Sequence, residues 1–395
     1  MKILSAMLSY WFLGVAAIPF VYYLIVIYSS WRYFRAAKRR AASPAFTPPV
    51  SILKPMRGED PGAYENLSSF CCQDYPQYEM LLCVDPGDQT VFPIVERLRR
   101  NFPERTIRIL YGSGRVATND KVAKLARLVS EAKHEFVVIS DSDVRVRPDY
   151  LRNVVAPLAR PNIGAVTCFY VSVEDKSFTD RLQNIGMTSD FYPGILVAWQ
   201  LDGIKFALGP TIATTRTRLA AFGGYAAIEN RPADDLLVGR LIAAQGYEVA
   251  LLPYTIQTVA DYGSFRELLH KRLRWIVVMR NLRPAGHFGL IFTLGLAWTL
   301  AAIAFHPTAP VILSFAGAYL FLRVVMTAII AGWGLNQPSS LKNVWLIPMW
   351  DAVACAIWLV SFSRNSIRWR GADYYIREGQ LVPVASRPEK HREAA

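Results

Sequence analysis

"VVISDSDVRVRPDYL", Val137 to Leu151, opens with three branched apolar residues and then sets Asp141 and Asp143 on either side of one serine. An unbroken apolar run of this kind reads as a strand buried on both faces, as in a parallel sheet. Side chains alternate along extended backbone, so the two aspartates leave the strand on the same side. Carboxylates held that close repel unless a cation lies between them or one takes up a proton. A polar strand exit, closed by a salt bridge or a helix cap, is the plainer reading of the same residues. The surrounding chain decides between the two.

Upstream, "PVSILKPMRG" (Pro49–Gly58) and "YEMLLCVDPGD" (Tyr78–Asp88) are two more short apolar runs that stop at Pro, Gly and acidic residues. Helices are predicted over Tyr64–Cys72, Val91–Asn101 and Lys121–Ala132, with strands over Thr106–Leu110 and Phe136–Ser140. Strands alternating with helices predict an α/β domain whose mostly parallel sheet is covered on both faces. Ligands of such sheets bind beyond the carboxyl ends of the strands. Lys54, Asp85, Asp88, Asp141 and Asp143 fall there. "YGSGRV" lacks the full pattern of a phosphate loop, so Gly112 and Gly114 read as turn residues.

The 395 residues are 52% hydrophobic and carry a formal charge of +13. High apolar content with a basic balance suits a membrane protein with basic cytoplasmic flanks. No nucleic-acid-binding signature is present, and no nucleic-acid partner is expected. Five cysteines, two of them adjacent and none at zinc spacing, read as reduced structural thiols.

Tyr10–Ser29 is apolar and long enough to cross a bilayer, and "WRYFRAAKRR" follows it. Its charges come after the apolar stretch rather than before, which predicts an uncleaved anchor with its amino terminus outside. Leu290–Phe305, Val311–Ile330 and Val344–Phe362 are three further apolar segments. The expected division is an anchor over 1–31, a basic cytoplasmic linker over 32–46 and a globular domain over 47–283. A membrane region over 284–363 and a basic cytoplasmic tail over 364–395 complete it. Three true crossings would put that tail outside, so one segment is expected not to cross: the short Leu290–Phe305, or the last, which carries Pro348 and Asp351. Phe191–Thr211 is nearly apolar enough to span, but Asp202, Lys205 and its glycines mark it as an interfacial segment near the bilayer.

"SILKPMRG", "DYPQYEMLLCV", "ISDSDVRVRPDYL", "PADDLLVGRLIAAQGYEV" and "KRLRW" occur in this order, with "IRWRGADYY" after the last apolar segment. Together they resemble glycosyltransferase family 21, the ceramide glucosyltransferases, and are similar also to bacterial hopanoid-pathway glycosyltransferases. The resemblance implies a nucleotide-sugar-binding domain of the GT-A type on the cytoplasmic side of a membrane, the inner membrane in a bacterium. It implies transfer of a sugar from a UDP-sugar to a lipid hydroxyl, of ceramide first and of a hopanoid second. Asp85 or Asp88 would contact the uridine part; Asp141 and Asp143 form the Asp-x-Asp pair; Asp235, preceded by Asp234, is the third acidic position. Lys271, Arg274 and Trp275 fall on the last motif, where Lys271 replaces Gln or Arg and loses a planar fork. "ATNDKVAKL" places Lys121 at a phosphate-contacting position, with Asp120 where the family has proline.

The chemistry gives those residues work. A leaving diphosphate gathers negative charge, which a hard cation held by oxygen ligands offsets. Asp143 and Asp141 suit Mg or Mn. An acceptor hydroxyl needs a general base, for which Asp235, at the start of a helix beside Asp234, is the candidate. Lys54, Lys121, Lys271 and Arg274 would steady the donor, and Trp275 would pack near the acceptor. Arg272, Arg280 and Arg283 read as a patch touching anionic lipid heads.

Overall fold

The structure, a computed structural model, describes residues 2–39, 46–115, 117–172, 177–259, 264–369 and 372–384. Residues 40–45 of the expected linker, 385–395 of the expected tail and 370–371 of "IRWRGADYY" lie outside them.

The apolar runs form strands where their composition predicts: β1 (Val50–Pro55), β2 (Tyr78–Val84), β3 (Thr106–Tyr111) and β4 (Phe136–Ile139). Four more complete the sheet: β5 (Val144–Arg145), β6 (Ile163–Ser172), β7 (Ile212–Thr215) and β8 (Glu248–Thr258). Their order is β3-β2-β1-β4-β7-β6-β8-β5. The first four strands and the β6–β8 pair run parallel, while β7 and β5 are antiparallel to their neighbours. Alternation sends Leu53, Leu81 and Ile139 into one core and Ile52, Met80 and Val138 into another, so both faces are covered. The chain winds outward through β1, β2 and β3, then returns to lay β4 on the other side of β1. That reversal opens a crevice between the carboxyl ends of β1 and β4, the place where such sheets bind ligands.

Helices Lys2–Ala16 and Ile18–Arg39 follow almost without a break. Residues 32–39 are therefore helix rather than linker: Tyr33 and Phe34 are buried, and the Tyr33 hydroxyl donates to the Leu251 carbonyl of β8 at 3.0 Å. Gly295 meets Tyr23 while Phe305 meets Phe12, so helix Gly295–Phe305 runs antiparallel to the amino-terminal helices. Helix Ala309–Thr327 and the turn Ala328–Gly334 return parallel to them, Phe315 lying on Phe20 and Trp333 on Phe34.

Three helical stretches are long and apolar enough to cross a membrane: Met7–Arg39, Ala309–Gly334 and Val344–Ser361. Pro284–Thr293 and Gly295–Phe305 form a fourth candidate, bent by 52°. The last helix, Ile347–Ser361, packs on helices Phe265–Leu282 and Phe178–Gly186 of the sheet domain. Tyr192–Asp202, within the expected interfacial segment, buries Tyr192, Ile195 and Leu196 along the amino-terminal helix and leaves Leu201 76% exposed.

Beyond the last apolar helix, where a basic tail was expected, the chain folds into β9 (Ser366–Trp369), β10 (Ala372–Arg377) and β11 (Gln380–Pro383), ordered β11-β10-β9. Ile367, Ile376 and Leu381 alternate inward onto Val277 and Val278. Glu378 and Gly379, both at positive φ, make the tight turn that twisted hairpins favour.

Candidate active site

The crevice between β1 and β4 is held by Lys54. Its ammonium donates to the Asp141 carbonyl at 2.8 Å and to Ser140 Oγ at 3.2 Å, and lies 3.5 Å over the Phe70 ring. It is fully buried, which pushes its pKa down to about 7 against the opposing pull of Asp143 and Asp141. A side chain so enclosed does not reach a donor. Lys54 positions the Asp-x-Asp loop instead, which corrects the expected role.

Asp141, Asp143, Asp234 and Asp235 line one cavity of about 750 Å³. Asp235 Oδ2 lies 3.0 Å, and Asp141 Oδ2 3.7 Å, from the point where a Cβ on Gly209 would sit. Two carboxylates far apart in sequence therefore face one glycine. Lys121 ties the group together, bridging Asp141 at 2.7 Å and Asp234 at 3.3 Å, and these carboxylates raise its own pKa against the cost of burial. Helix Asp234–Ala244 starts at this point, and Asp235 Oδ1 accepts from the Leu236 N–H at 2.8 Å. Burial, and then the neighbouring Asp234, push Asp235 up to about 6.

Burial, followed by the charge of Asp141, pushes Asp143 to about 6, with Lys271 and Lys54 pulling the other way. Like-charge crowding of this kind suits a bound cation. Among the described residues no group of three His, Cys, Asp or Glu side chains forms a cage. The oxygens of Asp141 and Asp143 are of the hard type that suits a divalent cation.

Helix Phe265–Leu282 supplies the opposite wall. Lys271, Arg274 and Trp275 all line the cavity, the Trp275 ring lying 5.5 Å from Phe191 and Arg274 5.6 Å over Trp369. Arg272 does not lie on an outward-facing patch: it is buried, lines the same cavity, bonds Gln183 at 2.9 Å and stacks between Trp275 and Trp350. Arg280 binds the Arg364 carbonyl at 2.8 Å and Asn365 at 2.9 Å, fastening the chain end to this helix. Arg283 is exposed at the cavity's edge.

Asp85 and Asp88 stand apart from that cavity. Asp85 pairs at 2.6 Å with Lys124, a buried lysine that also bonds Asp120 and the Met56 carbonyl. Asp88 braces two loops, accepting from the Gly58 N–H at 2.8 Å and from Thr90.

Sequence reasoning missed Asp60, which lines the cavity and whose buried Oδ2 has no hydrogen-bond partner among the described residues. Its place in the loop that ends β1 was the available signal. It also missed Lys124, which only the packing of helix Asp120–Glu131 brings to Asp85.

From the aspartates the cavity runs on past Trp275, Met187 and Ala198 to His287, Leu294 and Trp358 in the apolar carboxyl-terminal region. One continuous space thus joins a charged end to an apolar one.

The sequence profile of glycosyl transferase family 21 matches residues 11–382. The chain is similar to ceramide glucosyltransferase 3 of Caenorhabditis elegans, 21% identical over 94% of this chain and 82% of that one. A ceramide glucosyltransferase of Komagataella phaffii is 30% identical over 37% of this chain and 31% of its own length. The beta-monoglucosyldiacylglycerol synthase of Synechocystis is 25% identical over 58% of this chain and 47% of its own. Among solved structures, the mannosyltransferase PcManGT of Pyrobaculum calidifontis, in complex with GDP-Man and Mn2+, superposes with a TM-score of 0.49 at 22% identity, covering 87% of this chain and 99% of that one.

Proposed function

The chain belongs to glycosyl transferase family 21, and from that premise we propose that it is a membrane-bound, inverting transferase of the GT-A type, moving a sugar from a UDP-sugar to a lipid hydroxyl. The observation that carries this reading is the single cavity linking Asp141, Asp143 and Asp235 to the apolar carboxyl-terminal helices. A water-soluble donor and a bilayer-embedded acceptor need such a shared space. Ceramide is the acceptor this reading favours, since two of the similar proteins above are ceramide glucosyltransferases. A hopanoid-type acceptor with UDP-N-acetylglucosamine is the second choice.

Asp141 and Asp143 would hold Mg or Mn, which when bound offsets charge on the departing diphosphate. Lys121 holds Asp141 in place from the side of Asp234, and Lys271 brings positive charge close to Asp143. Arg274 adds charge at the leaving-group side, its guanidinium steadied on Trp369. Asp235 takes the proton from the acceptor hydroxyl as it attacks the anomeric carbon. A pKa near 6 keeps this carboxylate mostly ionised at neutral pH yet basic enough to accept that proton. Attack from the face opposite the diphosphate inverts the centre, giving a β-linked glycolipid from an α-linked donor. Asp85 or Asp88, at the loop that ends β2 and outside the cavity lining, would meet the uridine part.

The packing of β9–β11 on helix Phe265–Leu282 supports a carboxyl-terminal sheet on the same side of the bilayer as the catalytic domain. The antiparallel hairpin Gly295–Phe305 and Ala309–Gly334 then crosses out and back. Val344–Ser361, packed on the catalytic domain, lies in the near leaflet, and the basic flank of the first helix puts that side in the cytoplasm.

Incubating the purified chain with several UDP-sugars, Mn and a total lipid extract, and reading products by mass spectrometry, tests the proposal. A glycolipid bearing one added hexose or N-acetylhexosamine supports it; no product and no UDP release with any donor contradicts it.

A further inference from the structure

The cavity holds a carboxylate that sugar transfer does not use. Asp190 sits on the π-helical turn Met187–Phe191. It faces both the main cavity and a small adjoining one lined by Tyr22, Tyr23, Thr293, Arg323 and Asp351. It is exposed, and among the described residues its hydrogen bonding is a single long contact of 3.4 Å from Trp350 Nε1.

The turn that carries it is held firmly. Ser189 Oγ donates to the Ile185 carbonyl at 2.7 Å, and Thr188 Oγ1 to Asn184 at 3.0 Å. Arg323, on the membrane helix Ala309–Thr327, donates to the Ser189 carbonyl. The same guanidinium pairs with Asp351, at 3.0 Å from Nε, and Tyr319 donates to that carboxylate at 2.8 Å. Asp351 is thus the carboxylate in direct contact with Arg323, and among the described residues no ion pair joins Arg323 to Asp190. The Trp350 ring lies against Gly186, where a Cβ would come within 2.3 Å, so the residue before the turn has no room for a side chain. A carboxylate open to the cavity with so few protein donors is free to accept a hydrogen bond from a bound molecule, and π-helical turns recur at functional sites.

We propose that Asp190 selects the acceptor, accepting a hydrogen bond from a second donor, an amide N–H or a second hydroxyl, on the lipid whose first hydroxyl reaches Asp235. This rests on the transferase reading. It assigns the acceptor to lipids with at least two donors near the head and disfavours diacylglycerol, which offers one hydroxyl.

The test uses the full chain in nanodiscs doped with ceramide or with diacylglycerol of matched acyl length. Native mass spectrometry reads lipid retention, and UDP release reads turnover. The wild type should retain ceramide in preference. Asp190→Leu should weaken ceramide retention and raise its KM about tenfold or more, the value of a charge-assisted hydrogen bond, while diacylglycerol is unaffected. Asp190→Asn, which keeps an acceptor oxygen of the same size, should recover part of the preference. Equal retention of the two lipids by the wild type, or equal loss of both in Asp190→Leu, would overturn the assignment. Preferential ceramide retention without UDP release from any donor would sink the transferase reading and leave the lipid assignment standing.

Discussion

Asp235 and Asp141 meet at Gly209: their Oδ2 atoms lie 3.0 and 3.7 Å from the place where a Cβ on that glycine would project. A Cβ there would crowd the Asp235 carboxylate, which would have to give way slightly, and would meet Asp141 at an ordinary contact distance. Gly209→Ala should nudge Asp235 out of line and lower kcat by up to about tenfold, less than the roughly 100-fold penalty for misplacing a reacting group by about 1 Å. Donor binding measured by calorimetry should change little. An unchanged kcat would show that Asp235 does not need its present position.

The pH dependence follows from the same carboxylate. Burial and Asp234 raise its pKa to about 6, and a general base works only when ionised. Turnover at saturating divalent cation should therefore rise with pH through about 6 and level off above it, falling about tenfold per unit on the acid side. A profile flat down to pH 5, about one unit below that pKa, would remove Asp235 from the proton transfer.

The Arg323–Asp351 pair lies buried between the carboxyl-terminal helices, with Tyr319 on the same carboxylate. Removing one partner leaves an uncompensated charge, so Arg323→Met should destabilise the protein by about 3 kcal/mol or more. The double variant Arg323→Met/Asp351→Leu should recover most of that loss in thermal unfolding monitored in detergent. Failure of the double variant to recover would mean that the pair does more than balance charge.

The carboxyl-terminal sheet supports the catalytic loop from below. The Leu381 N–H donates to the Asn230 carbonyl at 2.7 Å, and Ala233, at φ +56° next to Asp234, packs with Ile367 and Leu381 in one cluster. Truncation after Ser363 should uncover Val277 and Val278 and cut kcat about tenfold or more through loss of alignment. Trp369→Ala should leave the sheet folded but raise the KM for the donor, because Arg274 loses the ring beneath it.

Much of this arrangement was legible in the chain because burial on both faces leaves a plain mark. Strands β1, β2 and β4 appear as short, mostly apolar runs and β3 as a more mixed one, and the residues at their ends follow from the winding of the sheet. The aspartates of the cavity were legible by type and motif, although only folding brings Asp235 to Asp141. Lys54 misled because a lysine at a strand end suggests ligand contact, whereas enclosure by Phe70 and Ser140 turns it toward a backbone carbonyl. Arg272 misled in the same way, its charge suggesting the surface while two tryptophan rings hold it inside. The tail concealed a sheet because each short strand buries a single apolar residue, Ile367, Ile376 or Leu381, among basic and polar neighbours. Asp190 was not singled out because a carboxylate at the edge of an apolar run has no meaning until the cavity behind it is seen.

The central claim is that one base, in the cavity shared by nucleotide and lipid, activates the acceptor. UDP release by the Asp235→Asn variant in lipid nanodiscs, with UDP affinity measured in parallel, tests it most directly. Release should fall by about 100-fold or more while UDP binding holds. Wild-type turnover in that variant would contradict the account.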